Sequence, residues 1–295
     1  MSSLYAITGP TGNTGSVLVD TLLKAKTKIR VIIRDESKQQ EFIEKGCEVA
    51  VADLKDVEAL KKAFEGVTGA YLMNPPAYDA PDMFEEVENV SKALYIAVQE
   101  ANVQKVVVLS SIGAQHSSGT GNIRSTFLME QVFGKLKIPV AFIRAGYFME
   151  NWASAVPTVV NSQMLPSFLS PLERKIPMVA AKDIGRIAGE VLLQDWKGVR
   201  IVELQGPEKY SPIDVAEAFS KILGNKVQAV EIPKSDWKDI LSQAHVGENA
   251  LEPWTEMFSG FNSGWIDFDG KGEQLSGRVT IEQFVQQQVR KNKIE

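Results

Sequence analysis

The sequence predicts an α/β fold built on a doubly wound parallel sheet, and three observations predict it. Short apolar runs alternate with amphipathic stretches from residue 4 to about residue 110. The connections between them are short, which requires right-handed crossovers and a parallel sheet covered on both faces. A glycine-rich turn, Gly9-Pro10-Thr11-Gly12-Asn13-Thr14-Gly15, separates the first strand pattern from the first helix pattern.

In chain order, Leu4 to Thr8 reads as a strand and Ser16 to Lys24 as a helix with Val17, Leu18 and Leu22 apolar. The β-branched run Ile29 to Ile33 is the second strand, followed by a helix over Lys38 to Lys45 that Gly46 ends. Val49 to Ala52 is a third strand, Val57 to Phe64 a short helix and Ala70 to Met73 a fourth strand. Val87, Val90, Leu94, Ala97, Val98 and Ala101 recur at helical spacing, which predicts a long amphipathic helix. The apolar run Val106 to Leu109 is a fifth strand, Ser125 to Leu136 a helix and Val140 to Arg144 a sixth strand.

Beyond Arg144 the rhythm changes. The stretch from Phe148 to Pro177 is rich in aromatics, Met and Pro. Asp183 to Gln194 reads as a helix, Val199 to Leu204 as a returning strand, Ser211 to Leu223 as a helix and Gln228 to Ile232 as a strand. The remainder, through Trp254, Phe258 and Phe261, is expected to be helix and loop. Residues 1–150 are therefore expected to form a nucleotide-binding domain, with 178–205 returning to it. Residues 151–177 and 206–295 are expected to form a smaller C-terminal α/β lobe woven onto the sheet.

Bulk properties narrow the function. The chain has 295 residues, 44% hydrophobic and 23% charged, which is ordinary globular composition and enough for a sizeable core. A net charge of -5 argues against nucleic acid as a partner. Cys47 is the only cysteine, so no disulfide forms within the chain, and a reducing, cytoplasmic setting is the expectation. With only His116 and His245 as histidines and no Cys/His ligand spacing, no metal site is expected. No apolar run is long enough to span a membrane, and the chain opens directly into a strand without the pattern of a signal peptide.

The turn Gly9 to Gly15 carries the first chemical signal. Its glycines stand at the first, fourth and seventh places, between a strand and a helix. Such a loop permits a tight turn, lets backbone approach a pyrophosphate and lets the helix pack on the strand. The helix then offers unpaired N–H groups and its positive end to the anion. Thr11, Asn13 and Thr14 supply further donors. Strand before, helix after and second strand following make this a Rossmann-type dinucleotide site.

The second strand ends in Arg34, whose guanidinium matches a ribose 2′-phosphate by bidentate hydrogen bonds, with Lys38 one turn on. Asp35 is the contrary sign, since it could bind a ribose hydroxyl. NADPH is therefore the expected cofactor, with NADH as the alternative. Further contacts are expected at the carboxyl ends of other strands. Asp53-Leu54 would flank the adenine, and Asn74-Pro75-Pro76 and Ser110-Ser111 would pass under the phosphates and the nicotinamide ribose.

Four stretches, running almost end to end, resemble the NmrA-like group of atypical short-chain dehydrogenases/reductases. They are Thr8 to Gly15, V-V-V-L-S-S-I-G at Val106 to Gly113, F-I-R-A-G-Y-F-M-E-N at Phe142 to Asn151, and G-R-V-T-I-E-Q-F at Gly277 to Phe284. That group includes quinone reductases, triphenylmethane-dye reductases and redox-sensing regulators. The resemblance implies that the aromatic segment after Arg144 lies over the nicotinamide, and that Tyr147, Phe148 and Asn151 line the substrate cleft. Members of the wider superfamily use a Tyr-x-x-x-Lys pair for proton transfer. None of the six tyrosines here has Lys four places on. Counting back from Glu130, which resembles the family's glutamate on that helix, Thr126 stands where Lys would be and Asn122 where Tyr would be.

Two functions follow as expectations. The first is an NADPH-dependent reductase that passes hydride to a quinone or similar electron-poor small molecule without the Tyr–Lys pair, with Tyr147, Asn151 and Thr126 as its catalytic candidates. Trp152 is expected beside them in the cleft, and Trp254, Phe258 and Phe261 are candidates to close it from the C-terminal lobe. The alternative is a non-catalytic NADP(H) sensor acting through a protein partner. Either is compatible with a homodimer, and fold alone does not choose between them.

Overall fold

The structure, a computed structural model, describes residues 3–78 and 80–292. From the amino end the elements are β1 (Leu4–Thr8), α1 (Asn13–Lys24), β2 (Lys28–Ile33), α2 (Gln39–Glu44), β3 (Glu48–Val51), α3 (Val57–Phe64), β4 (Gly69–Leu72), α4 (Met83–Glu100), β5 (Lys105–Ser111), α5 (Arg124–Phe133) and β6 (Val140–Ala145). There follow β7 (Tyr147–Phe148), α6 (Val156–Ser162), β8 (Met164–Ser167), β9 (Ile176–Val179), α7 (Ala181–Leu192), β10 (Val199–Gln205), β11 (Lys209–Tyr210), α8 (Pro212–Leu223), β12 (Gln228–Glu231), α9 (Trp237–Gln243), α10 (Glu248–Ser263), β13 (Glu273–Ser276) and α11 (Ile281–Asn292).

Eight strands form one sheet in the order β13-β10-β6-β5-β4-β1-β2-β3, and every pairing in it is parallel. Alternation along the strands sends side chains to two apolar layers. On one face Ile7, Tyr71, Val107 and Ile143 pack under Leu18 and Leu22 of α1 and Ile184 and Ile187 of α7. On the other Ala6, Leu72, Val108 and Phe142 pack under Leu60 of α3, Leu94 of α4 and Phe133 of α5. From β1 the chain winds outward to β2 and β3, then returns to β4 and continues the other way. The reversal opens a crevice at the carboxyl ends of β1 and β4, where ligands bind in sheets of this kind.

The first helix begins at Asn13, three residues before the apolar pattern becomes legible at Ser16. Asn13, Thr14 and Gly15 belong to its first turn, and no apolar side chain there advertises it. A second difference is β13. The sequence suggests only helix and loop in that region, yet Glu273–Ser276 forms the sheet edge beside β10. An edge strand with only Leu275 partly covered carries no apolar alternation to reveal it.

The remaining elements gather around a third core that includes Trp152, Phe219, Trp237, Phe258, Phe261 and Phe284. Between Phe148 and Pro177, where the sequence offers no clear period, lie a 3-10 segment (Met149–Ala155), α6, β8 and the start of β9. β8 pairs with the distant β12, and β9 lies between β7 and β11. Two carboxylates, the half-buried Glu150 and the buried Asp183, tie this region to the sheet. Glu150 accepts the Ala181 N–H through both oxygens, at 3.0 and 2.9 Å, and so caps α7. Burial pushes the Glu150 carboxyl up, although that N–H pulls the other way. Asp183 accepts the N–H groups of Arg278 and Val279 at 2.7 and 2.8 Å and so fixes the approach to α11.

Candidate functional site

The glycine turn sits at the mouth of the crevice. Gly9 has φ +62°, a left-handed conformation that favours glycine. The turn is closed by the Gly12 N–H donating to the Gly9 carbonyl at 3.1 Å, and the Ser16 N–H then donates to the Gly12 carbonyl at 3.0 Å. A Cβ on Gly15 would overlap the Gly9 carbonyl oxygen, so the strand-to-helix approach requires glycine there. No side chain caps α1 and no acidic residue occupies its first turn. Its leading N–H groups and positive end are left for an anion. Behind the turn the Thr8 hydroxyl donates to the Tyr71 carbonyl at 3.2 Å and accepts the Met73 N–H at 2.9 Å, which holds β1 and β4 together where their ladder ends.

A cavity of about 450 Å³ runs from this turn along the strand ends. Gly12, Asn13 and Thr14 form one end, Met73 to Tyr78 and Ser110 to Ile112 its floor, and Gly146, Tyr147, Phe148 and Asn151 one wall. Asn122, Ile123, Ser125, Thr126 and Met129, with the α10 residues Trp254, Met257 and Phe261, complete it. Among the described residues, no Asp, Glu, Lys, Arg or His lines it.

The structure thus brings together Gly12, Asn13, Thr14, Asn74, Pro75, Ser110, Ser111, Thr126, Tyr147, Phe148 and Asn151 from the residues that the sequence singles out. Gly9, Thr11 and Gly15 belong to the turn itself. Arg34, Lys38, Asp53 and Leu54 do not line the cavity; they follow β2 and β3, the two strands beyond β1 in the sheet. Arg34 is exposed. Asp35 instead accepts the Ser37 N–H at 2.9 Å, and Ser37 holds its carboxyl below the usual range. Asp53 is likewise engaged locally, accepting the Lys55 N–H at 2.8 Å.

Several lining groups already have partners. Asn74 donates to the Val87 carbonyl at 3.0 Å, and Thr126 donates to the Ile123 carbonyl at 2.7 Å, which leaves the threonine oxygen free only to accept. Ser110 donates to Glu130 at 2.6 Å, and Glu130 is paired with Arg144. Burial opposes the charge on Arg144, but the Glu130 carboxylate outweighs it and the guanidinium's pKa is raised. Tyr147 meets Phe261 edge-on at 5.4 Å; burial pushes its phenol well above the usual range, with Asn151 opposing.

Trp152 and Phe258 do not line the cavity: both are buried in the third core, where Phe258 stacks on Phe168 at 4.5 Å. Tyr78 also lines the cavity, and the sequence reading does not single it out. Tyr78 packs on Trp254, with ring centroids 5.4 Å apart, and its hydroxyl is within hydrogen-bonding reach of Asn122. Its one sequence signal is the preceding Pro75-Pro76 pair, which keeps the chain extended as it leaves β4. Among the described residues no cluster of three or more His, Cys, Asp or Glu is placed to hold a metal ion.

Residues 1–291 match the model of the NmrA-like family. The chain belongs to the NmrA-like family. It is 26% identical over 257 residues to an NAD(P)H azoreductase of Xenophilus azovorans, covering 87% of this chain and 86% of that one. Among solved structures, the NADPH-dependent quinone oxidoreductase of Escherichia coli complexed with NADPH superposes with a TM-score of 0.81. That match has 21% identity and covers 96% of this chain and 99% of the other. The triphenylmethane reductase of Citrobacter sp. gives 0.83 at 20% identity, over 98% and 99% of the two chains. At such identity the likeness is one of fold, and it agrees with the parallel sheet and the crevice described above. Among the described residues no helix is long and apolar enough to cross a membrane.

Proposed function

We propose that this NmrA-like protein is an NADPH-dependent reductase that passes hydride to a small, flat, electron-poor acceptor such as a quinone. The observation that carries the reading is the continuity of one cavity from the uncapped α1 end to an aromatic wall that bears no charged side chain among the described residues. An anion-binding end and an apolar end in one space suit a dinucleotide whose reactive ring meets an apolar partner. The named activities of the azo, quinone and triphenylmethane reductases agree with this reading.

The residues present fit the cofactor. The Gly9–Gly15 turn and the free N–H groups of α1 would hold the pyrophosphate. Arg34 and Lys38 would take the 2′-phosphate, because Asp35 is turned to Ser37 and does not compete. Asp53 and Leu54 would flank the adenine. Asn74, Pro75, Ser110 and Ser111 would support the ribose, and Tyr147 and Phe148 would cover the nicotinamide. The bound cofactor supplies the hydride; the protein supplies orientation and a space that excludes water. Tyr147, Asn151 and Thr126 would position the acceptor, Thr126 by accepting a hydrogen bond. With no carboxylate, imidazole or amine among the described lining residues, the cavity favours acceptors that delocalise the incoming charge themselves.

Fluorescence titration with NADPH and NADH, followed by addition of a simple quinone, tests the reading. The expected result is NADPH preference that Arg34→Ala removes, together with saturable NADPH oxidation by the quinone. Tight binding without turnover across a panel of acceptors would overturn the reductase assignment in favour of a sensor acting through a protein partner.

A further inference from the structure

We propose that the phenol of Tyr78 is the proton donor of this reduction. The assignment rests on the reductase reading. Hydride addition to a carbonyl-type acceptor leaves an oxyanion, which has to be protonated before the product departs. Among the described residues that line the cavity, the ionisable side chains are the phenols of Tyr78 and Tyr147.

The two differ in their surroundings. Tyr147 has Asn151 at its hydroxyl but is buried, edge-on to Phe261 at 5.4 Å and tilted against Trp152 at 6.3 Å. A donor enclosed in this way has no ready route for regaining a proton from water. Tyr78 lies on the loop leaving β4 and is only half-buried, its ring tilted against Trp254 and its hydroxyl at Asn122. An amide N–H from Asn122 can donate to the phenol oxygen, which supports the tyrosinate and leaves the phenol hydrogen free for a ligand. Burial raises both phenols, and raises Tyr147 further. An oxyanion formed in the same apolar space is raised by the same desolvation, so donor and acceptor stay matched.

The step balances. The C–H bond of the reduced nicotinamide breaks and its electron pair goes with hydrogen to the acceptor, which is reduced as the nicotinamide is oxidised. The acceptor oxygen takes the Tyr78 proton as the tyrosine O–H bond breaks, and the tyrosinate takes a proton from water.

The test compares two acceptors with wild type, Tyr78→Phe and Tyr147→Phe. A para-quinone needs hydride and a proton. A cationic triarylmethyl dye needs hydride alone, because its central carbon is neutralised as the C–H bond forms. For Tyr78→Phe the ratio of quinone to dye turnover is expected to fall by about 100-fold, the lower range of general-acid effects. The solvent deuterium isotope effect on quinone turnover is expected to disappear. Independently of turnover, the hydroquinone product should quench tryptophan fluorescence of the cofactor-free protein, and Tyr78→Phe should weaken its binding by about 5- to 10-fold, the value of one hydrogen bond. Equal slowing of both acceptors, or an isotope effect that survives in Tyr78→Phe, would overturn the assignment while the reductase reading stands. Loss of the isotope effect in Tyr147→Phe alone would overturn it in favour of the other phenol. A wild-type protein that binds NADPH but reduces neither acceptor would remove the reductase reading and this inference together.

Discussion

The Arg144 guanidinium grips the Glu130 carboxylate through two hydrogen bonds, Nε to Oε1 at 3.0 Å and Nη2 to Oε2 at 2.7 Å, with both side chains almost wholly buried. The pair joins β6 to α5 beneath the cavity, and Ser110 of β5 donates to the same carboxylate. This is the physical reason for an arginine within the F-I-R-A-G-Y-F stretch. Glu130→Gln leaves a buried guanidinium without its counter-charge, which costs about 3–5 kcal/mol. Urea unfolding should register that loss, and the double variant Glu130→Gln/Arg144→Met should recover part of it. A Glu130→Gln protein within about 1 kcal/mol of wild type would contradict this account.

Gly15 and Gly12 should separate in their effects. A Cβ at position 15 meets the Gly9 carbonyl, whereas one at position 12 meets only that oxygen at 3.5 Å, an ordinary contact. Gly15→Ala is expected to cost about 1–3 kcal/mol by overpacking and to weaken NADPH binding at least about 10-fold as the turn shifts. Gly12→Ala should leave the thermal midpoint near that of wild type. Thermal melts and fluorescence titration read the two quantities, and equal melting of both variants would refute the distinction.

Asp183 is a structural acid. Besides the two N–H groups of Arg278 and Val279, it pairs with Arg186 at 3.0 Å and is 2% exposed. Asp183→Asn removes charge-assisted bonds worth about 1.5–3 kcal/mol each. The expected result is a lower melting temperature, with faster hydrogen exchange concentrated in α11. Unchanged exchange there would mean that α11 is held by its apolar face alone.

Alkaline pH should destabilise the fold through buried phenols. Tyr71, whose hydroxyl lies 3.3 Å from the Thr14 hydroxyl, is pushed up to about 12 by burial, and burial raises Tyr147 as well. The unfolded chain releases these protons near pH 10 while the native protein retains them, so native stability falls as pH rises. For Tyr71 the loss runs from pH 10 until its folded value near 12 is reached. Each pH unit in the window costs about 1.4 kcal/mol per phenol. Urea unfolding at pH 9, 10 and 11 checks the slope, and Tyr71→Phe should reduce it.

Much of the sheet is legible in the sequence because its strands are apolar on both faces and its helices repeat at 3.6 residues. Leu4–Thr8 and Val57–Phe64 agree with the structure at both ends, and Ser211 stands as the N-cap of α8 through a capping box with Asp214. The Gly9–Gly15 turn is legible because backbone geometry and anion binding both demand glycine at fixed spacing. The strands β7, β8 and β9 are not, since runs of two to four residues paired with remote partners carry no local period.

The sequence by itself determined the doubly wound sheet, the glycine turn and the residues entering the cavity from the strand ends, because each is encoded by neighbours along the chain. Only the tertiary structure decided that Tyr78 meets Trp254 and Asn122, that Phe258 and Trp152 turn to the core, and that Glu273–Ser276 completes the sheet. Those placements depend on loops and edges docking against distant elements. The forces that set them are burial and pairing across the fold, which local spacing does not record.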